Sequence, residues 1–128
     1  MISVVAAIAL RDGQVMVARR AIGQRQAGLW EFPGGKVEAG ESDAQALARE
    51  LHEELNVAAI IGEEFARTQY DYADGSIELI GLFTELPDLE YVLSVHDQID
   101  WLPIGHLAMV ELAPADVALA QQLMQRFA

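Results

Sequence analysis

The stretch GGKVEAGESDAQALARELHEEL, residues 34–55, begins with two glycines and continues as an amphipathic helix. Ser42 is a favourable N-cap residue, and Gln45 three positions later completes a capping-box pattern. Apolar residues then recur at helical spacing, at Ala44, Leu47, Ala48, Leu51 and Leu55. The pattern predicts a helix from about Asp43 to Leu55 with one buried stripe, preceded by a glycine-rich loop.

Three carboxylates crowd the last turns of this predicted helix. Glu50, Glu53 and Glu54 lie where the helix dipole is negative, so they repel the backbone and one another. Arg49 can pair with Glu53 at the i+4 position, but it cannot neutralise all three acids. A solvated acidic face is one explanation of this arrangement, and a bound cation is the other.

Two neighbouring features favour the cation. Gly34 and Gly35 precede the helix, and glycine lets bare backbone approach a ligand. Glu41 lies at the end of the loop, from where it can fold back towards the other acids. Carboxylate and main-chain oxygens are the ligands that Mg²⁺ and Mn²⁺ prefer, and we therefore predict a divalent-metal site here.

The composition limits the classes of protein to consider. The chain has 128 residues, which fits a single domain over residues 1–128, and it contains no cysteine. Its formal charge of −12 argues against a nucleic-acid polymer as partner. We find neither a signal-peptide pattern nor an apolar run long enough for a membrane span, so we expect no membrane partner and a cytoplasmic location.

The order of patterns predicts a mixed sheet packed between helices. SVVAAIAL reads as a strand buried on both faces, followed by an Asp-Gly turn and the returning strand VMVARR. A longer hairpin is predicted across AIIGEEFARTQYDY, ADGS and IELIGLFTEL. A loop then leads to the short strand IDWLPI, and ADVALAQQLMQRFA is a terminal amphipathic helix with Val117 and Phe127 at the ends of its apolar stripe.

The spacing of the acidic helix and its loop resembles the signature of the Nudix family. Gly35 is followed after five residues by Glu41, and after seven more by Arg49-Glu50-Leu51. Glu53-Glu54 and an aliphatic residue, Val57, complete the pattern. One position departs from it, because Asn56 stands where the family usually has glycine. Asn is the next-best residue for the left-handed backbone that this helix end requires.

The resemblance extends over most of the chain. GLWEFPGGKVE and VARR are similar to MutT-type members, and GLWEFPGGKVE together with LAPAD is most similar to the branch of CTP pyrophosphohydrolases. It implies an α/β/α sandwich around a mixed sheet. It also implies hydrolysis of a nucleoside diphosphate linked to another group, which for a triphosphate yields a nucleoside monophosphate and pyrophosphate.

The resemblance also implies roles for individual residues. Glu50 and Glu54 are expected to bind Mg²⁺, for which Mn²⁺ can substitute, and the carbonyl of Gly34 is a further ligand. Glu53 either binds metal or acts as the general base, and Glu50 is the other candidate base. Arg49 is expected to orient Glu53. Glu41 is expected to tie the loop to the helix, or else to be a solvated loop acid.

Substrate contacts are expected from residues outside the helix. Arg20 and Lys36 are the candidates to meet phosphate oxygens, while Arg19 must point to the opposite face of its strand. Asp97, in the loop before the last strand, is an additional candidate metal ligand or base. His96 beside it is predicted to be a solvated loop histidine.

The nucleobase has a candidate contact in Asp116. Ionised aspartate only accepts hydrogen bonds, which suits the N4 amino group of cytosine, whereas a protonated carboxyl could also contact an oxidised guanine. Asp116 could equally be an N-terminal acid of the last helix that the dipole stabilises. Tyr70, Tyr72 and Phe83 could supply a stacking face or belong to the core.

Three functions remain open. The first is a Mg²⁺-dependent pyrophosphohydrolase of CTP, dCTP, 5-methyl-dCTP or an oxidised nucleotide such as 8-oxo-dGTP. The second keeps the fold but takes a dinucleoside polyphosphate, NADH or a nucleotide sugar. The third is a non-catalytic nucleotide-binding domain, which usually loses acids that this chain retains. Either a monomer or a homodimer is possible.

Overall fold

The computed structural model describes residues 1–87 and 90–127. Its strands are β1 (Ile2–Ile8), β2 (Leu10–Arg11), β3 (Gln14–Arg20), β4 (Trp30–Glu31), β5 (Gly34–Lys36), β6 (Ile60–Tyr72), β7 (Gly75–Glu85) and β8 (His96–Pro103). Its α-helices are α1 (Asp43–Leu55) and α2 (Val117–Phe127), and 3₁₀ helices cover Ile104–Met109 and Pro114–Asp116. None of the helices in these two ranges has the length and apolar character needed to cross a membrane.

The strands form two four-stranded sheets. In the first the order is β5-β1-β7-β6, with β1 parallel to β7 and the other neighbours antiparallel. In the second, β3 pairs antiparallel with β2, β4 and β8. β4 and β8 therefore both border β3, which brings segments far apart in the chain to the same region.

The predicted α/β/α arrangement is confirmed, and strand β1 shows why. Its side chains alternate, so Val5 and Ala7 pack in the core under α1, together with Leu47 and Leu51. Ala6 and Ile8 face the opposite core, which contains Val15, Val17 and Leu119. A strand with helices over both faces must be apolar at successive positions, as the sequence of β1 is.

The local signals for turns and helix ends are also confirmed. Asp12 and Gly13 both have positive φ, at 51° and 76°, as the turn between β2 and β3 requires. Ser42 and Gln45 form both hydrogen bonds of the capping box. Asn56 ends α1 in the left-handed conformation, with φ 57° and ψ 42°.

The glycine-rich segment is a strand and not the loop that its composition predicts. β5 pairs with β1, with Gly34 opposite Ala6 and Gly35 opposite Val5. A Cβ atom on Gly34 would overlap the carbonyl of Val5, so glycine permits this close pairing. The strand ladder therefore overrides the loop preference of consecutive glycines.

The ends of two segments differ from the sequence patterns. His96 and Asp97 open strand β8 because pairing with β3 extends further than the apolar pattern of IDWLPI indicates. Val117 and Phe127, at the two ends of the predicted stripe of α2, are 39% and 43% exposed. The buried part of that helix is Leu119, Ala120 and Leu123, although the ring of Phe127 still packs against Phe65 and Phe83.

Candidate metal and nucleotide site

Arg49 holds the loop before α1 against the helix. Its guanidinium donates to Glu41 through Nε at 2.7 Å and Nη2 at 3.0 Å, and Nη2 also donates to the Lys36 carbonyl at 3.0 Å. This bidentate bond, with a smaller contribution from the Glu38 N–H, lowers the pKa of Glu41. Glu41 therefore does tie the loop to the helix, as one of its two interpretations required.

The same guanidinium orients two of the clustered acids. Nη1 of Arg49 donates to Glu50 Oε1 at 3.0 Å and to Glu53 Oε2 at 3.3 Å. Glu50 is 15% exposed, whereas Glu53 is 56% exposed. One arginine thus fixes the positions of two carboxylates, one half-buried and one open to solvent.

Gly35 makes room for Glu50. A Cβ atom at position 35 would overlap the carboxyl group of Glu50, so only glycine allows this carboxylate to lie against the backbone of β5. Gly34 lies beside it on the same strand, at the wall of a cavity. Carboxylate and strand backbone are therefore close together, as a site of hard oxygen ligands requires.

Glu54 is the buried member of the cluster. It is 7% exposed, and its Oε1 atom has no hydrogen-bond partner. Burial, followed by the negative charges of Glu31 and Glu50, raises the pKa of Glu54 to about 9. Burying a carboxyl group without a partner is costly, and a bound cation would favour its ionised form. The site therefore fits a divalent metal.

Glu31 and His96 join this group, although sequence reasoning assigned no role to Glu31. His96 Nε2 lies 2.8 Å from Glu31 Oε2, and one potential ligand atom from each of Glu31, Glu54 and His96 falls within 4.8 Å of the others. The His96 side chain is fully buried, so the prediction of a solvated loop histidine was wrong. Its burial follows from pairing with Arg20 across β3 and β8. Strand alternation could have predicted a buried His96, but the predicted strand IDWLPI began after it, whereas β8 begins at His96.

The two arginines of β3 separate as alternation predicts. Arg20 donates to Glu31 Oε2 at 3.3 Å and to the carbonyl of Arg25 at 3.1 Å, and it lines the cavity. Arg19 instead pairs with Asp97 at 2.7 Å. The structure therefore does not bring Asp97 to Glu31, Glu54 and His96.

A cavity of about 390 Å³ lies beside these groups. Arg20, Glu31 and Lys36 line it together with the backbone of Gly34 and Gly35. Its other lining residues include Phe32, Ala115, Asp116, Tyr72 and Leu79. The lining thus includes both charged and apolar residues, which suits a ligand with both a phosphate group and a flat ring.

Asp116 is a buried acid in the lining of the cavity. It lies in the 3₁₀ turn before α2, is 7% exposed, and its Oδ2 accepts the backbone N–H of Phe32 at 2.8 Å. Burial raises its pKa to about 8, although the Phe32 hydrogen bond acts in the opposite direction. Near neutral pH this carboxyl can therefore carry a proton and donate a hydrogen bond.

The three aromatic candidates have different positions. Tyr72 lines the cavity, with the Arg25 guanidinium 5.5 Å from its ring centroid. Tyr70 packs edge-on against Tyr72. Phe83 instead packs against Phe65 and Phe127 near α2, which confirms the core interpretation for this residue.

The fold and the acidic helix together define a class of protein. The NUDIX domain family matches residues 1–125, so the chain belongs to the Nudix family, as the spacing of the acids predicts. The chain is 43% identical over 126 residues to the CTP pyrophosphohydrolase of Escherichia coli K12, covering 97% of this chain and 92% of that protein. It is 48% identical over 60 residues to the 8-oxo-dGTP diphosphatase of Haemophilus influenzae, covering 47% and 44% of the two chains.

A solved structure agrees with this relationship. The solution structure of the E. coli ORF135 protein superposes with a TM-score of 0.84 at 42% identity, covering 98% of this chain and 89% of that one. The Nudix fold and the resemblance to MutT-like hydrolases are therefore confirmed. Together with the relatives, the retained acids identify an enzyme, a hydrolase of small nucleotides.

Proposed function

We propose that the protein is a Mg²⁺-dependent pyrophosphohydrolase of (d)NTPs, acting on CTP, dCTP, 5-methyl-dCTP or an oxidised nucleotide such as 8-oxo-dGTP. One observation carries this proposal: a single cavity is lined by Arg20, Glu31 and the backbone of β5 as well as by apolar residues and Asp116. The relatives named for CTP and 8-oxo-dGTP support the substrate class. A cytoplasmic location and a monomer or homodimer remain predictions.

The proposed metal ligands are Glu54, the carbonyl of Gly34, and whichever of Glu50 and Glu53 does not act as the base. When bound, the ion would neutralise phosphate charge and lower the pKa of a water molecule. Arg49 keeps Glu50 and Glu53 oriented through its Nη1 atom. Asp97, the remaining candidate, is engaged by Arg19, and a substitution can decide its role.

The reaction consumes one water and one triphosphate and releases a nucleoside monophosphate and pyrophosphate. Glu53 or Glu50 accepts the proton of the attacking water. The exposure of Glu53 supports it as base, because an open carboxylate can exchange its proton with solvent. Arg20 and Lys36 bind phosphate oxygens and hold the chain of phosphates in line.

Two substitutions separate the base from the ligands. The variant that removes the base should lose kcat while its Mg²⁺ affinity remains within about twofold. The variant that removes a ligand should lose Mg²⁺ affinity as well. We would compare Glu53→Gln with Glu50→Gln by calorimetric Mg²⁺ titration and by pyrophosphate release. The comparison shows which glutamate is the base and which binds the metal.

Asp116, which accepts the Phe32 N–H, is proposed to read the nucleobase. A neutral Asp116 offers both a donor and an acceptor, so it suits an oxidised guanine as well as cytosine. An ionised Asp116 suits the amino group of cytosine alone. The preference between these bases should therefore change with pH.

The test is pyrophosphate release from CTP, dCTP, 5-methyl-dCTP, 8-oxo-dGTP and 2-hydroxy-dATP, with Mg²⁺ and with EDTA. We expect release from at least one of these and its loss with EDTA. Activity that persists in EDTA would overturn the proposal. Turnover confined to dinucleoside polyphosphates, NADH or nucleotide sugars would keep the metal site but replace the substrate.

A further inference from the structure

Two buried side-chain atoms among residues 1–87 and 90–127 lack a hydrogen-bond partner, Glu54 Oε1 and His96 Nδ1. Both residues belong to the same group, which Glu31 completes. Buried polar atoms without hydrogen-bond partners are uncommon in native proteins, and binding of an ion is one recognised reason for them. Two such atoms in a single group therefore point to a cation as their ligand.

The fold fixes this group in place. Ser94 donates to the carbonyl of Glu53 through Oγ at 3.0 Å and to the carbonyl of Glu54 through N at 3.3 Å. Val92 N donates to the Leu55 carbonyl at 3.1 Å, so the segment before β8 satisfies the end of α1. His96 follows two residues after Ser94, so these bonds of Val92 and Ser94 bring it close to Glu54.

The side chains in the group are those of a mixed-ligand metal site. One ring nitrogen of His96 contacts Glu31, and the other has no partner. One ligand atom from each of the three residues lies within 4.8 Å of the other two, which is close enough for a single ion to bind all three.

We propose that Glu31, Glu54 and His96 bind a first-row transition-metal dication, such as Mn²⁺, Co²⁺ or Zn²⁺, in preference to Mg²⁺. The inference extends the proposed function, because Glu54 would be shared with the all-oxygen Mg²⁺ site. Imidazole nitrogen favours these ions, whereas Mg²⁺ prefers oxygen ligands and retained waters. Glu31 lines the cavity, which gives the ion a route of entry.

The test uses Mn²⁺, whose electron spin echo is modulated by a coordinated nitrogen. We expect saturable Mn²⁺ binding to the wild-type protein with nitrogen modulation that changes on labelling histidine with ¹⁵N. The double variant His52→Gln/His106→Gln leaves His96 as the sole histidine, since the chain has three, and should keep this modulation. It leaves the three proposed ligands unaltered.

His96→Gln should abolish the modulation and weaken Mn²⁺ binding about tenfold or more. Its Mg²⁺ affinity should change less than about threefold, because an all-oxygen site does not use imidazole. His106→Gln, at an exposed position, is the matched control and should match the wild type in both affinities. If His96→Gln does not fold, the double variant with ¹⁵N-histidine gives the decision on its own.

A Mn²⁺-saturated wild-type protein without histidine modulation would overturn this inference, as would modulation lost in the double variant. Pyrophosphate release with Mg²⁺, measured on the same samples, keeps the two proposals apart. Mg²⁺-dependent pyrophosphate release without nitrogen coordination would support the proposed function and overturn the mixed-ligand site. Nitrogen coordination without pyrophosphate release would support the mixed-ligand site and overturn the proposed function.

Discussion

Arg49 and Arg67 each contact several carboxylates, but their surroundings differ. Arg67 reaches Glu64 at 2.7 Å, Glu78 at 2.8 Å and Asp43 at 3.5 Å, with 43% of its own side chain exposed. Arg49 is 24% exposed, and its partners include Glu50 on the helix face that carries Glu54. Both arginines have their pKa raised, chiefly by a carboxylate hydrogen bond.

The difference shows that the number of ion pairs does not locate a functional site. The acids around Arg67 find their partner at the surface, where such pairs contribute little to stability. Arg49 instead contacts Glu50, which lies on the same helix face as Glu54. Glu54 is buried, and its Oε1 atom has no hydrogen-bond partner. Incomplete pairing at a buried carboxylate, rather than density of charge, marks the site.

The largest expected effect comes from the buried acid. Glu54→Gln keeps the shape but removes the charge that a metal requires, and we expect kcat/KM to fall about 10²- to 10³-fold. Glu64→Gln, in the network of Arg67, should change it less than about twofold. Pyrophosphate release and Mg²⁺ titration measure both, and a fully active Glu54→Gln would remove the basis of the comparison.

The two arginines themselves give the next effect. Arg49→Gln should lower kcat/KM about 10- to 100-fold, because residues that orient metal ligands carry effects of that size. Arg67→Gln should leave kcat/KM within about twofold of the wild-type value. Equal losses in the two variants, measured in the same assay, would show that the networks do not differ in function.

Asp116 gives a pH effect on stability. Its pKa is about 8 in the folded protein and about 3.9 in an unfolded chain, so the folded state retains a proton that the unfolded state has released. Stability therefore falls as pH rises from about 4 to 8. Asp116→Asn should flatten this slope in urea denaturation with EDTA, and an unchanged slope would contradict the raised pKa.

The smallest effect is expected at Asp97. Its ion pair with Arg19 is 37–39% exposed on both sides, so Asp97→Asn should change kcat/KM less than about threefold. A tenfold loss of kcat/KM together with weaker Mg²⁺ binding would show that Asp97 is a metal ligand. It would also mean that the Arg19 pair opens when metal binds.

Features that depend on near neighbours in the chain were predictable. The bounds of α1 agree with the prediction at both ends, because a capping box and a left-handed Asn specify them locally. The separation of Arg19 from Arg20 followed from the alternation of a strand. The strand formed by Gly34 and Gly35 was missed, because it exists only through pairing with β1.

Sequence alone determined the family, the helix with its three acids and the burial of β1 on both faces, since these follow from spacing and period. Tertiary structure decided which acids are buried, that Glu31 meets His96, and that Asp97 turns to Arg19. Glu31 and His96 are 65 residues apart and meet because β4 and β8 both pair with β3. Burial and pairing across such separations depend on strand register, which no local pattern specifies.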